Sequence, residues 1–94
     1  MLFAIIGRAK LPTKHRVPRR MNWHYPAGVR VVGEYWLLGG DPALIVIAEA
    51  DLASLMTAIA DWDDAFDFTV VPAITAEQGL ELSKQMLAGA PTTA

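Results

Sequence analysis

A chain of 94 residues is long enough for one domain, and 53% of its residues are hydrophobic. It has no cysteine, which excludes disulfides, thiolate metal sites and cysteine nucleophiles. Because a small domain buries a limited share of its surface, this apolar content predicts a homodimer or higher homo-oligomer. The apolar run at residues 2–6 is too short for a membrane span or a signal segment, and we expect a cytoplasmic protein with no membrane contact.

The net charge is only −2, but the charges are segregated along the chain. Seven of the eight bases precede Glu34, and all ten acids lie after residue 33. The basic segment, residues 8–30, therefore either lies against acidic surface of its own chain or a partner copy, or forms a site for an anion. Nucleic acid is an unfavoured partner, because the acidic remainder of the chain would repel a phosphate backbone.

In chain order, residues 1–7 predict a first strand in the middle of a sheet, because apolar side chains occupy both of its faces. Residues 8–27 contain three prolines, and they predict a short or broken basic helix after Thr13, which can cap a helix start. Residues 28–50 are the richest in strand-forming residues and are interrupted once, at 39–42. They predict a β-hairpin.

The register of this hairpin decides which side chains face the helices. With residues 39–42 as the loop, one face carries Trp36 opposite Ile45, Glu34 opposite Ile47 and Val32 opposite Glu49. The other face carries Tyr35, Gly33 and Val31 opposite Val46, Ala48 and Ala50. Small residues on this second face leave room for helices, so we assign it to them and the first face to a partner copy. A shift of one residue would reverse the assignment.

The next two elements have clear local signals. Asp51 predicts an N-cap, and apolar residues at helical spacing predict an amphipathic helix over about residues 52–63. Residues 66–73 alternate strand-forming side chains and predict the last strand, which Pro72 helps to end. Several acids lie near the end of this helix and the start of this strand, and they predict a docking place for the basic segment or a weak cation site: Asp61, Asp63, Asp64 and Asp67.

Thr75 and Gln78 form a capping-box pattern before a final helix over about residues 76–88, and residues 89–94 predict a frayed tail. Residues 1–94 thus predict a single α+β domain with the ferredoxin-like βαββαβ order and an added C-terminal helix. Its helices cover one face of an antiparallel sheet. The uncovered face would pair with a second copy and form a dimeric α/β barrel.

Five segments, taken in order, resemble a known family: Met1-Leu-Phe, Trp23 with Pro26-Ala-Gly-Val29, Val32-Gly-Glu-Tyr-Trp36, Ile47-Ala-Glu-Ala-Asp51, and Trp62 with Phe66-Asp-Phe-Thr-Val-Val-Pro72. The resemblance is to the short bacterial and archaeal proteins grouped as domain of unknown function 3303. It covers most of residues 1–73 and implies the dimeric α/β-barrel superfamily. That superfamily includes cofactor-independent monooxygenases, haem-handling proteins and muconolactone-isomerase-like enzymes, but none of their catalytic motifs matches this chain residue by residue.

The sequence offers few candidates for chemistry. His15 and His24 are the only histidines, and without a nearby carboxylate they make a poor metal site, so we expect no metal and no cofactor. Glu34 and Glu49 lie in strands that we expect to be covered, and a buried carboxylate must be paired or protonated. Each is therefore an ion-pair partner at a subunit interface or a general base in a cavity.

Two functions remain open. We favour a small homodimeric binding or accessory protein without enzymatic activity, which holds an anionic or aromatic small molecule near the basic segment. Its predicted ligand-binding residues are Arg16, Arg19, Arg20, Trp23, His24, Tyr35 and Trp36. The alternative is a cofactor-independent monooxygenase- or isomerase-like enzyme for a small aromatic substrate, with His24 or Glu34 as acid or base. A cavity of several hundred Å3 that exposes His24 or Glu34 would favour the enzyme, and a filled interior would favour the accessory protein.

Overall fold

A computed structural model describes residues 1–89 and contains one antiparallel sheet with the strand order β2-β3-β1-β4. The elements are β1 (Leu2–Ala9), α1 (Thr13–Met21), β2 (Val29–Trp36), β3 (Leu44–Ala50), α2 (Leu52–Trp62), β4 (Phe66–Ala73) and α3 (Ala76–Gly89). This order confirms the predicted ferredoxin-like α+β fold with an added C-terminal helix. Residues 90–94 of the predicted frayed tail lie outside the described residues. Within residues 1–89, no helix combines the length and the apolarity that crossing a membrane requires.

The core lies between the sheet and α2. β1 is central, as predicted, and its alternation buries Phe3 and Ile5 on the face that meets Leu55 of α2. Ala48 of β3 is completely buried on the same face, since its small side chain lets the helix layer approach closely. Asp51 caps α2 as predicted, because its carboxylate accepts hydrogen bonds from the backbone and the hydroxyl of Ser54, at 2.8 and 2.9 Å.

The predicted register of the β2–β3 hairpin is wrong. Trp36 lies opposite Leu44 and Glu34 opposite Val46. This register arises because the connection runs from Leu37 to Ala43, and the backbone N–H of Leu37 donates to the carbonyl of Ala43 at 2.9 Å. A second shift of one residue occurs at a bulge between residues 31 and 33.

The corrected register reverses the faces on the C-terminal half of β2. Glu34 and Trp36 lie on the helix side of the sheet, not on the side that we assigned to a partner, and Tyr35 and Gly33 lie on the opposite side. The assignment of Val31 to the helix side is confirmed, since it lies opposite Ala48 and packs against the core.

The side of the sheet away from α1 and α2, called the outer face below, is left uncovered by the residues that the structure describes. Its central side chains are apolar and only partly exposed: Leu2, Ala4, Ile6, Ile45 and Ile47. No residue of α3 is buried against the rest of residues 1–89. Leu80 and Leu87 lie on one side of α3 and are 66% and 78% exposed. Two apolar surfaces are therefore without a covering layer in the part of the chain that the structure describes.

We predict that Leu55→Ala lowers the free energy of unfolding by about 2–5 kcal/mol, because Leu55 is 4% exposed and its removal leaves a void in the core. Leu52→Ala is the matched control on the same helix, since Leu52 is 67% exposed, and we expect a change of about 0.5 kcal/mol or less. Urea unfolding followed by circular dichroism at one fixed protein concentration measures both. Equal effects of the two substitutions would contradict the assigned orientation of α2.

Candidate ligand-binding cavity

An open cavity of about 310 Å3 lies between α1, α2 and the helix side of the sheet. Six aromatic side chains line it: Trp23, Tyr25, Trp36, Trp62, Phe66 and Phe68. It stays open because α1 has no buried residue and therefore fills little of the space above the sheet. Its volume falls at the lower end of the range of ligand pockets.

Four donors converge on the carboxylate of Glu34 at one wall of the cavity. Arg20 donates from Nε at 3.2 Å and from Nη2 at 3.0 Å, and the indole of Trp36 donates at 2.8 Å. The hydroxyl of Tyr25 donates to the same oxygen as Arg20 Nη2. Each carboxylate oxygen thus accepts two hydrogen bonds, so the full accepting capacity of Glu34 is used.

This network fixes the charge states of its members. Partial burial acts to raise the pKa of Glu34, but the hydrogen bonds from Arg20, Tyr25 and Trp36 outweigh it and lower the pKa below its ordinary value. Burial and the bond to Glu34 both raise the pKa of Tyr25, which stays protonated near neutral pH. Glu34 is therefore an ionised partner of Arg20 within one chain, where we expected a pair across a subunit interface.

The same C-terminal end of α1 is also held by two members of the predicted acidic group, Asp61 and Asp64, as one of our two interpretations predicts. Arg19 makes a bidentate ion pair with Asp64 at 2.8 and 2.9 Å, and its guanidinium lies 4.7 Å from the ring centroid of Trp62. The hydrogen bond from Arg19 lowers the pKa of Asp64. The indole of Trp23 donates to Asp61 at 2.9 Å.

Five of the seven bases before Glu34 pair with acids of their own chain: Arg8 with Asp41, Lys10 with Asp67, Arg19 with Asp64, Arg20 with Glu34 and Arg30 with Glu49. The segregated charges are thus largely self-complementary, as the first interpretation of the basic segment predicts for these five bases. Lys14 and Arg16 have no acidic partner within ion-pair distance among residues 1–89. Of these two, only Arg16 lines the cavity.

Arg16 is held at the cavity by contacts that leave its charge uncompensated. Its Nε donates to the carbonyl of Leu11 at 2.9 Å, and its Nη2 donates to the hydroxyl of Thr13 at 3.0 Å. The guanidinium carbon lies 5.3 Å from the ring centroid of Phe66, in cation–π distance. The side chain is therefore positioned without being neutralised.

The structure brings together four of the predicted ligand-binding residues, because Arg16, Arg20, Trp23 and Trp36 all line the cavity. Arg19 lies beside it and is engaged by Asp64. His24 is exposed and does not line the cavity. Tyr35 points to the outer face, since the corrected register places it there, and it is 57% exposed.

Sequence reasoning missed most of the apolar wall. The helical spacing of α2 predicted an amphipathic helix but not that Ala58, Ile59 and Trp62 would line a cavity. Phe66 and Phe68 share one face of β4, and this period-two pattern was the available signal for their place on the wall. Within residues 1–89, no cluster of three or more His, Asp or Glu side chains is arranged to hold a metal ion.

Comparison with known proteins gives one result. The family model described as domain of unknown function (DUF3303) matches residues 1–87. Searches of curated proteins and of solved structures each found no match. The family description states no activity, so the function has to be argued from the cavity and from the exposed surfaces.

We predict that Glu34→Gln lowers the free energy of unfolding at pH 7 by about 1–3 kcal/mol, because hydrogen bonds to a charged acceptor are replaced by weaker ones. Folding lowers the pKa of Glu34, so the ionised carboxylate stabilises the fold fully above about pH 5. This contribution to the free energy of unfolding is lost as the pH falls through the lowered pKa. The difference in unfolding free energy between the unchanged chain and Glu34→Gln should therefore shrink on acidification.

Urea unfolding at a series of pH values measures this difference. Glu49→Gln is the matched control, because Glu49 is exposed and pairs with Arg30 at the surface, where an ion pair contributes about 1 kcal/mol or less. If the difference in unfolding free energy between Glu34→Gln and the unchanged chain does not vary with pH, the Glu34 carboxylate does not stabilise the fold.

Proposed function

The chain belongs to the DUF3303 family, and we propose that it is a small homodimeric binding protein that holds a small aromatic molecule in the cavity between its helices and its sheet. The observation that carries this proposal is the unfilled cavity of about 310 Å3 with six aromatic side chains on its wall. Aromatic and apolar walls with a few fixed polar groups are typical of small-molecule sites.

The polar part of the wall is preorganised. Arg20, Tyr25 and Trp36 are all held by Glu34, so their polar groups keep fixed positions at the edge of the aromatic surface. A site whose side chains are already ordered loses little conformational entropy when a ligand binds. The geometry thus supports binding of a rigid, planar molecule.

Two uncovered surfaces support a second copy as the partner. The outer face is apolar at its centre, and the bases near its ends, Arg8 and Arg30, are already paired with acids of the same chain. Such a face is close to neutral, and it suits another copy of itself better than a strongly charged partner.

The sizes of the two surfaces support the same partner. Four strands of about eight residues cover about 500 Å2 of sheet, which is less than the roughly 800 Å2 that each partner contributes to a standard interface. The apolar side of α3, about 21 Å long, adds about 200 Å2. The outer face and α3 together therefore approach the area that a stable homodimer needs.

A second candidate function is an enzyme for a small aromatic substrate. One observation favours it, because Glu34 lines a cavity of the expected size. However, a general base needs a free lone pair near its substrate, and the two oxygens of Glu34 already accept four hydrogen bonds. His24, the other proposed acid or base, does not line the cavity. We therefore rank binding above catalysis.

We predict that 2-naphthoate or its neutral analogue 2-naphthamide binds the cavity, as measured by isothermal titration calorimetry. Ala58→Phe should weaken binding at least tenfold, because Ala58 lines the cavity and the larger ring occupies its space. Ala60→Phe is the matched control on the exposed side of α2, and it should leave the affinity unchanged. Circular dichroism checks that both variants fold. If neither probe binds the unchanged chain, the binding function is rejected.

We predict a homodimer with a mass about twice 10.2 kDa in sedimentation equilibrium at micromolar concentration. Ile47→Glu should shift it to monomer, because the substitution places a charge in the centre of the outer face. Leu52→Glu, on the exposed side of α2, is the control and should stay dimeric. Leu80→Glu combined with Leu87→Glu should weaken the dimer at least tenfold if α3 shares the interface. A well-folded monomer of the unchanged chain would reject the homodimer.

A further inference from the structure

Among the charged side chains that line the cavity, one positive charge is left without compensation. The cavity is lined by Arg16, Arg20 and Glu34, and Arg20 and Glu34 form a half-buried ion pair at 3.0 Å. Arg16 has no carboxylate within ion-pair distance among the residues that the structure describes. The charged groups on the cavity wall therefore sum to about +1, which complements a ligand with one negative charge.

The contacts of Arg16 leave a specific edge of its guanidinium available. Nε donates to Leu11 and one N–H of Nη2 donates to Thr13, so two of its five N–H groups are used in contacts within residues 1–89. The remaining N–H groups lie on Nη1 and Nη2, which form a fork that matches the two oxygens of a carboxylate. The contact with Phe66 keeps this fork beside the aromatic wall.

We infer that the ligand of this cavity is an aromatic carboxylate whose acid group binds Arg16 and whose ring system lies among Trp36, Trp62 and Phe66. The inference rests on the proposed binding function and names its ligand class. It assigns the anion to Arg16 instead of sharing it among the three arginines of α1.

The neighbouring arginines are already engaged. Arg20 gives both Nε and Nη2 to Glu34, and Arg19 gives Nη1 and Nη2 to Asp64. An anion at either position would have to compete with a bidentate carboxylate that is already in place. Of the three arginines of α1, Arg16 is therefore the one where an added carboxylate replaces no ion pair within residues 1–89.

A monocarboxylate fits this wall better than a phosphate ester. A phosphate monoester carries a charge of about −1.5 to −2 near neutral pH and presents three acceptor oxygens. One guanidinium does not neutralise that charge, since the charged groups on the wall sum to only about +1. A single carboxylate is neutralised by Arg16 alone, while its ring covers the apolar remainder of the wall.

The test compares 2-naphthoate with 2-naphthamide, which has the same shape and no charge, by isothermal titration calorimetry at low and high salt. The unchanged chain should bind 2-naphthoate at least tenfold more tightly than 2-naphthamide at low salt, and salt should reduce this preference. Arg16→Gln should abolish the preference, so that this variant binds the two probes with affinities within about twofold of each other. Arg16→Lys should retain part of the preference, since it keeps the charge and loses the fork.

Lys14→Gln is the matched control, because it removes the same charge from the same helix at a residue that does not line the cavity. It should preserve the preference for 2-naphthoate. Equal binding of the two probes by the unchanged chain overturns the inference and leaves the binding function standing. Persistence of the preference in Arg16→Gln also overturns it. If neither probe binds, the proposed function and the inference fail together.

Discussion

The ion pair between Arg20 and Glu34 connects α1 directly to the sheet. α1 has no buried side chain, so the hydrophobic effect gives it little reason to stay on the sheet. Arg20 connects it to β2 through two hydrogen bonds, and Tyr25 and Trp36 add two more to the same carboxylate. Because charged contacts hold the helix where apolar packing would normally do so, the space beneath it remains open.

A change of register in β2 makes this ion pair possible. The bulge between residues 31 and 33 adds one residue to the strand and turns Glu34 to the helix side. Without it, regular alternation from Val31 would place Glu34 on the outer face, away from Arg20. The orientations of Glu34 and Trp36 therefore depend on this bulge together with the 37–43 connection, which sets the register at the hairpin end.

The elements themselves could be predicted from local signals, but the site could not be predicted in full. The cap at Asp51 and the reciprocal hydrogen bonds between Thr75 and Gln78, at 2.9 and 3.0 Å, depend on residues three positions apart. The faces of β2 depend on a bulge, for which the glycine at position 33 was the only hint. Which bases of α1 are paired depends on acids that lie 14 to 45 residues away along the chain.

The distribution of tryptophan has a practical consequence for anyone who studies this protein. The chain contains three tryptophans, and all three line the same cavity. The rings of Trp23 and Trp62 pack edge to face with their centroids 5.7 Å apart, and the indole of Trp36 donates to Glu34. A ligand in the cavity would therefore lie close to all three indoles. Intrinsic fluorescence therefore reports on a single location in this fold, without a dye and without background from indoles elsewhere.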